Sequence, residues 1–189
     1  MQGGAPRVVW SVWNVDPRTV SARSVAQRLV QLGRPTHLVW NPVTGHLVQS
    51  LPGTTAARGL PGDLNRHGRV CVQIKVLGSA QAPFTDTRLC GLEEILAWLD
   101  TWRVPRRWPA GPPLPYPQSL VAERSGRAWA RGGHFGISQV PGAQEGDPGA
   151  IDIDRLLQAG TAAEDPASLP LPHEEFVSVN GLSEARAGR

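Results

Sequence analysis

The segment of residues 129–154, WARGGHFGISQVPGAQEGDPGAIDID, holds glycine and polar residues at a higher density than a packed fold requires. Within it, His134 offers an imidazole, Ser138 a hydroxyl, and Glu145 and Asp147 offer carboxylates. Imidazoles and carboxylates are the groups that bind zinc and carry protons in hydrolysis. We therefore place the candidate site in this segment.

The order of residues in this segment resembles the closing motif of the type-2, zinc-dependent N-acetylmuramoyl-L-alanine amidases, the peptidoglycan-recognition family, particularly its actinobacterial members. The resemblance extends over roughly residues 7–157. It includes a hairpin sequence, HLVWNPVTGHLVQ, and a strand, VCVQIKV. The matching motif residues are Gly136, Ser138, Gln139, Val140, Pro141, Asp147, Pro148 and Gly149.

The resemblance implies a zinc site with three protein ligands, and this chain departs from it at two of them. The three family positions hold Ser11, Ile137 and Asp147, and the position of a catalytic tyrosine in many members holds Thr36. A serine hydroxyl and an alkyl group are not competent zinc ligands at neutral pH. We therefore expect no metal cofactor, and Thr36 and Asp147 remain only as residues at family catalytic positions.

A relocated metal site is the alternative at this point. His134, Glu145 and His67 could supply nitrogen and oxygen donors near Asp147. If residues 134–137 form a strand, His134 faces away from Ile137 because side chains alternate, whereas a loop or bulge would remove that objection. His134 is more readily explained as a wall residue.

The resemblance also implies a groove for glycopeptide. His37 matches a family residue that packs beneath the site, and a proline-rich loop could form one wall. Buried indoles explain the seven tryptophans of the chain about as well as sugar stacking does. The predicted groove residues are His37, His134, Phe135, Ser138, Gln139, Trp108 and Tyr116.

Other kinds of site receive little support from the sequence. Ser11 and Ser138 do not lie on a nucleophile elbow, and no phosphate-binding glycine motif follows a strand. The 19 Lys and Arg residues barely exceed the 16 Asp and Glu residues and form no basic stripe, so nucleic acid is not an expected partner. Cys71 and Cys90 form no metal-binding pair, and Cys71 reads as a small buried hydrophobe.

The N-terminal half should form most of a central sheet. Residues 7–13 predict a strand buried on both faces, and residues 20–32 predict an amphipathic helix that Gly33 ends. Residues 37–40 and 46–51 predict a hairpin around the turn at 41–45, and residues 69–77 predict another central strand.

The C-terminal half predicts a packing helix at residues 92–102 and a further helix that begins at about 150. Six prolines exclude a helix or inner strand at residues 104–117, where we expect an ordered crossing loop that lays Trp108 and Tyr116 over the fold. Together these elements predict an α/β domain, residues 1–158, with a mixed central sheet and helices on both faces. Residues 159–189 predict an Ala/Gly/Pro/Glu-rich tail.

The expected function is that of a non-catalytic amidase-fold module. It would bind peptidoglycan or muropeptides, or serve with protein partners as a structural component of a phage-like or contractile injection particle. The alternative is an active amidase that cleaves the bond between muramic acid and L-alanine with zinc in an altered site. The sequence shows neither a membrane span nor a secretion signal, so we expect a protein that is cytoplasmic as synthesised and reaches the wall by lysis or in a particle.

Overall fold

A five-stranded mixed sheet forms the centre of the molecule in the computed structural model, which describes residues 4–159. The strand order is β3-β2-β4-β1-β5, and all neighbouring pairs are parallel except the hairpin of β2 with β3. The predicted tail lies, from residue 160 onward, outside the described residues. The strands are β1 (Arg7–Asn14), β2 (Leu38–Trp40), β3 (Leu47–Gln49), β4 (Cys71–Gly78) and β5 (Gly133–Gly136).

Helices cover both faces of this sheet, as the sequence predicted. The α-helices are α1 (Ala22–Gln31), α2 (Leu92–Thr101), α3 (Gly126–Ala130) and α4 (Ile153–Gln158). On one face, α2 and α4 pack on the side chains of Trp10, Trp40 and Ile74. On the other face, α1 packs near Val39 and Leu77, and α3 packs near Val9 and Phe135. The predicted α/β architecture is therefore confirmed.

The two long strands are buried because each lies between two neighbours and beneath two layers of side chains. β1 runs parallel to β4 over its whole length, from Arg7 opposite Cys71 to Asn14 opposite Gly78.

Cys71 is buried with a free thiol, and burial raises its pKa to about 12. A thiol with such a high pKa is inert near neutral pH, so the prediction that Cys71 packs as a small hydrophobe is confirmed.

Local signals set the ends of the first helix and the shape of the hairpin. The Ser21 hydroxyl caps α1 by accepting from the N–H of Ser24, 3.1 Å away, and the chain leaves the helix through Gly33 at φ +68°. In the hairpin turn, the Asn41 side-chain oxygen accepts from the N–H groups of Val43 and Thr44. The predicted hairpin between residues 37 and 51 is confirmed, with shorter strands.

The last described helix begins later than the sequence predicted. The sequence predicts a helix from about residue 150, whereas α4 begins at Ile153. Asp152 lies before the helix as its N-cap and accepts from the N–H of Arg155 at 2.9 Å. An aspartate side chain at this position satisfies a helical N–H that lacks a backbone acceptor, so Asp152 starts the helix without belonging to it.

The proline-rich stretch of residues 104–117 is a crossing loop with no helix or strand, as predicted. It runs beside β5, where the Arg107 carbonyl accepts from the N–H of His134 at 2.9 Å. Within the loop, the Trp108 side chain is buried, whereas Tyr116 keeps 38% of its surface exposed. Across residues 4–159, none of the helices has the length and apolar character needed to cross a membrane.

Candidate functional site

The three positions that align with the family's zinc ligands come together at the ends of β1 and β5. Trp10 of β1 pairs with Gly136 of β5. Ser11 and Ile137 directly follow this pair, so they lie side by side in the fold. Asp147 reaches the same place because its carbonyl accepts from the N–H of Ser138 at 2.9 Å. The sheet therefore brings together residues that lie far apart in the sequence.

Two motif glycines allow the segment of Asp147 to pack this closely. A Cβ on Gly136 would lie 2.6 Å from the ring Cδ of Pro148, closer than side chains can approach. Gly149 has φ +80° and packs against the carbonyl group of Ala80. The glycines of the motif are thus explained by backbone packing that positions Asp147.

Each of the three converging side chains is used by the fold itself. The Ser11 hydroxyl donates to the carbonyl oxygen of Ile74 at 3.3 Å. The Asp147 carboxylate accepts from the backbone N–H of Val12. Ile137 is buried in an apolar cluster with Phe135 and others. All three side chains therefore take part in the packing or hydrogen bonding of the fold.

The bond from Val12 to Asp147 has a clear structural reason. β5 runs beside β1 only as far as Trp10, so the second half of β1 has no strand partner on that side. A buried N–H without an acceptor costs about 1–3 kcal/mol. The carboxylate of Asp147 supplies that acceptor where β5 has ended. Asp147 therefore has a structural role that requires no metal.

The residues present do not fit a zinc ion. One carboxylate, a hydroxyl that donates to a carbonyl, and an alkyl group do not form the set of nitrogen, sulfur and oxygen donors that zinc requires. Within residues 4–159, no three His, Cys, Asp or Glu side chains are grouped so that they could hold a metal ion.

His134 and Ile137 pack on opposite faces of the sheet, His134 against Trp10 and Ile137 in the cluster of Phe135, although Ile137 lies just beyond the end of β5. The His134 ring packs against Trp10, with centroids 6.0 Å apart, and its Nδ1 accepts from the Trp10 indole N–H at 3.1 Å. Nδ1 is thus unprotonated and Nε2 carries the proton, but Nε2 has no hydrogen-bond partner. Burial is the main cause that lowers the pKa of His134 to about 3. The residue is a neutral core histidine.

The other two alternative ligands are engaged elsewhere. His67 lies 3.3 Å from Asp63 through Nε2, and its Nδ1 faces the Trp129 indole N–H at 3.3 Å. Glu145 pairs with Arg34 at 3.4 Å. His67, Glu145 and His134 are not brought together as a ligand set with Asp147.

Gln139 joins the motif to the crossing loop. Its side-chain oxygen accepts from the indole N–H of Trp108 at 2.6 Å and from the N–H of Gly136 at 3.2 Å. Its amide nitrogen donates to the carbonyl of Gly111 at 2.7 Å. The glutamine of the SQVP motif is therefore a clamp that holds the loop against β5.

Thr36 and His37 belong to a second internal network. The Thr36 hydroxyl donates to the carbonyl of Leu38 at 3.2 Å. His37 accepts from the N–H of Gln73 through Nδ1 at 3.0 Å, so its Nε2 donates to the carbonyl of Thr55 at 2.9 Å. Burial lowers the pKa of His37, which favours this neutral form. His37 is therefore a buried histidine whose two ring nitrogens are both bonded within the fold.

Six of the seven residues predicted to line a groove lie in the interior and do not face solvent. Ser138 is 1% exposed and its hydroxyl has no hydrogen-bond partner, and Tyr116 is the one member with a substantial exposed surface. The crossing loop contacts two of the others, His134 through the Trp108 ring and Gln139 through hydrogen bonds. The interior residues are His37, Trp108, His134, Phe135, Ser138 and Gln139.

Lys75, the only lysine of the chain, is the residue of this region that the sequence reasoning did not select. It lies on β4 directly opposite Ser11 of β1 and next to Val39 of β2. Its side chain is partly exposed, and among residues 4–159 no carboxylate oxygen lies within the 4 Å of an ion pair. A lone lysine inside the apolar strand pattern VCVQIKVL was the signal that could have identified it.

Charges of both signs surround Lys75. Burial lowers the pKa of its ammonium, while Asp147 and then Glu145 act in the opposite direction. The pKa of Asp147 is raised by burial, and Lys75 and the Val12 N–H limit that rise. With Arg34, these residues form the polar cluster, defined as Arg34, Lys75, Glu145 and Asp147. The polar cluster can bind charged or hydrogen-bonding groups, and it holds two positive and two negative formal charges.

Comparison of the chain with protein-family models, with curated proteins and with solved structures finds no match.

Proposed function

We propose that this chain is a non-catalytic module with an amidase-like site that binds peptidoglycan fragments. One observation carries the proposal. The positions that the resemblance assigns to zinc converge at one place, yet they hold Ser11, Ile137 and Asp147, which the fold uses for a carbonyl bond, core packing and a strand N–H. A site built in this way lacks the donor set for metal chemistry, which supports a binding role over a catalytic one.

The polar cluster supplies the binding groups in this proposal. Muropeptides carry amides, carboxylates and amines, and the cluster offers an ammonium, a guanidinium and two carboxylates. Arg34 and Glu145 keep about half of their side chains exposed, at 58% and 39%. Charged hydrogen bonds to such groups are stronger than neutral ones, which favours recognition of a stem peptide over an uncharged glycan.

The proposal is tested by sedimentation of the purified full-length chain with insoluble peptidoglycan. We expect the protein to sediment with the wall, and the double variant Arg34→Ala, Glu145→Gln to sediment several-fold less, because two of the ligand contacts are removed. Arg28→Ala is the matched control, since Arg28 is an exposed arginine on α1 outside the cluster. Circular dichroism of each variant verifies folding.

Two results would replace this proposal. Folded protein that stays in solution would favour a structural role in a phage-like or contractile injection particle. One equivalent of bound zinc, with chelator-sensitive release of dye from labelled walls, would establish an active amidase with an altered metal site.

A further inference from the structure

A concave site lies at the carboxyl ends of the parallel strands, and none of its lining residues belongs to the polar cluster. It has a volume of about 360 Å³, and it is lined by Arg18, Val43, Asp86, Thr87, Arg88 and Arg155. Arg18 follows β1, Val43 follows β2, and Asp86 to Arg88 follow β4. In open α/β sheets this edge is the usual place for ligands.

Three arginines and one aspartate give this pocket a formal charge of +2. Arg18, Arg88 and Asp86 are exposed, and within residues 4–159 none of the three arginines has a carboxylate oxygen within 4 Å. Arginine is the side chain best suited to hold phosphate and carboxylate oxygens, because its planar donors bind them in pairs. Among the described residues, the pocket therefore presents guanidinium groups that form no ion pair.

The third arginine is held in place by the backbone. The Arg155 guanidinium donates to the carbonyl of Thr85, and also to the carbonyl of Thr87 at 2.8 Å. The segment around Thr85 is itself bonded to the start of α4, because the Thr85 hydroxyl accepts from the N–H of Asp152 at 3.0 Å. These bonds use two of the five N–H donors of Arg155 and leave three for a ligand. A cation fixed in advance loses less conformational entropy on binding.

We propose that this pocket binds a dianionic phosphate group carried by a small organic molecule. A dianion matches the charge of +2, and a volume of about 360 Å³ exceeds the space a bare phosphate fills and suits a small metabolite. Val43 supplies an apolar surface beside the arginines for the organic part. This site is independent of the polar cluster, and wall binding can fail without affecting it.

The test is calorimetric titration of the full-length chain with three probes: inorganic phosphate, phenyl phosphate and succinate. We expect both phosphates to bind, phenyl phosphate more tightly because of its ring, and succinate to bind at least about tenfold more weakly than phenyl phosphate. Binding should weaken as salt is raised, since the arginines are exposed. Equal binding of succinate, or no binding of either phosphate, would overturn the assignment.

Variants locate the site. Arg18→Ala with Arg88→Ala removes two exposed cations, and we expect phosphate binding to weaken by about tenfold or more. Arg28→Ala with Arg127→Ala removes two exposed arginines on α1 and α3 and should leave binding within about twofold. In the unchanged protein, phosphate should shift the NMR signals of the Val43 methyls and the Thr87 amide. Equal loss in both double variants, or unshifted signals at Val43 and Thr87, would refute the site.

Discussion

Lys75 and Asp147 show how charge is accommodated inside this sheet. The ammonium lies on β4, and the carboxylate accepts from an N–H of β1, so both charges lie against the central strands. Burial disfavours the charged form of each, and each favours the charged form of the other. The two residues should therefore depend on one another energetically.

Because the pKa of Asp147 is raised even beside Lys75, the folded chain disfavours its carboxylate on balance. We therefore expect Asp147→Asn, whose amide oxygen can still accept from Val12, to change stability by less than about 1 kcal/mol. Lys75→Met should be more favourable to stability in the Asp147→Asn chain than in the unchanged protein, because the ammonium has there lost the neighbouring carboxylate. Urea unfolding of the four proteins of this cycle gives the coupling energy, which we expect at about 1 kcal/mol.

Simple additivity of the two substitutions would contradict this account. A further variant separates the two roles of Asp147. Asp147→Ala removes the charge and the acceptor of the Val12 N–H together, so it should cost more than Asp147→Asn by about the 1–3 kcal/mol of an unpaired buried group.

At the scale of elements, the crossing loop of residues 104–117 depends on contacts with β5 and the segment that follows it. Prolines prevent the loop from pairing as an inner strand, so few of its polar groups can be satisfied by regular structure. The Gln139 side chain makes three hydrogen bonds, two of them to the loop at Trp108 and Gly111. The loop in turn keeps His134 and Trp108 away from solvent.

Replacement of Gln139 by leucine should therefore loosen this loop. The Trp108 indole N–H, the Gly136 N–H and the Gly111 carbonyl would lose their partner, and we expect a loss of about 2–4 kcal/mol of stability. Hydrogen exchange should become faster in residues 105–117, and the fluorescence of Trp108 should shift to longer wavelength as water reaches it.

Gln144→Leu is the matched control, because Gln144 is exposed and only its backbone N–H is bonded, to Glu145. It should change stability by less than about 0.5 kcal/mol and leave loop exchange unaltered. Unchanged exchange in the Gln139 variant would show that the prolines alone hold the loop.

For the whole molecule, the buried neutral histidines link stability to pH. In the folded chain the pKa of His134 is about 3, whereas an exposed histidine titrates near 6.5. Between these values the unfolded chain binds a proton that the folded chain does not. The contribution of His134 to the free energy of unfolding is thus fully present above about pH 6.5 and is lost as the pH falls toward 3. The pKa of His37 is lowered as well, which acts in the same direction.

We expect the free energy of unfolding to fall by about 1.4 kcal/mol per pH unit for each such proton on the acid side. The glutamine of His134→Gln can still accept from Trp10 but does not titrate. The free energy of unfolding of this variant should therefore fall less steeply as the pH is lowered, by the contribution of one proton, even though its overall stability is lower. Chemical unfolding at several pH values between 4 and 7 measures both slopes. An unaltered slope in His134→Gln would refute the assignment.

The sequence by itself determined the order and type of the main elements. The apolar run of β1, the helical spacing of α1 and α2, and the turn residues around Asn41 and Gly45 are local patterns, and local patterns depend on the backbone preferences of adjacent residues. The prolines of residues 104–117 likewise excluded regular structure before any contact was known.

Tertiary structure alone decided which motif residues meet and which of them are buried. Burial of His134, Ser138 and Gln139 depends on the loop that covers them, and a predicted groove becomes interior once Gln139 binds that loop. Only the strand register shows that Lys75 lies opposite Ser11, where its ammonium interacts electrostatically with Asp147. Such contacts join residues far apart in the chain, and periodicity within one segment carries no information about its partners.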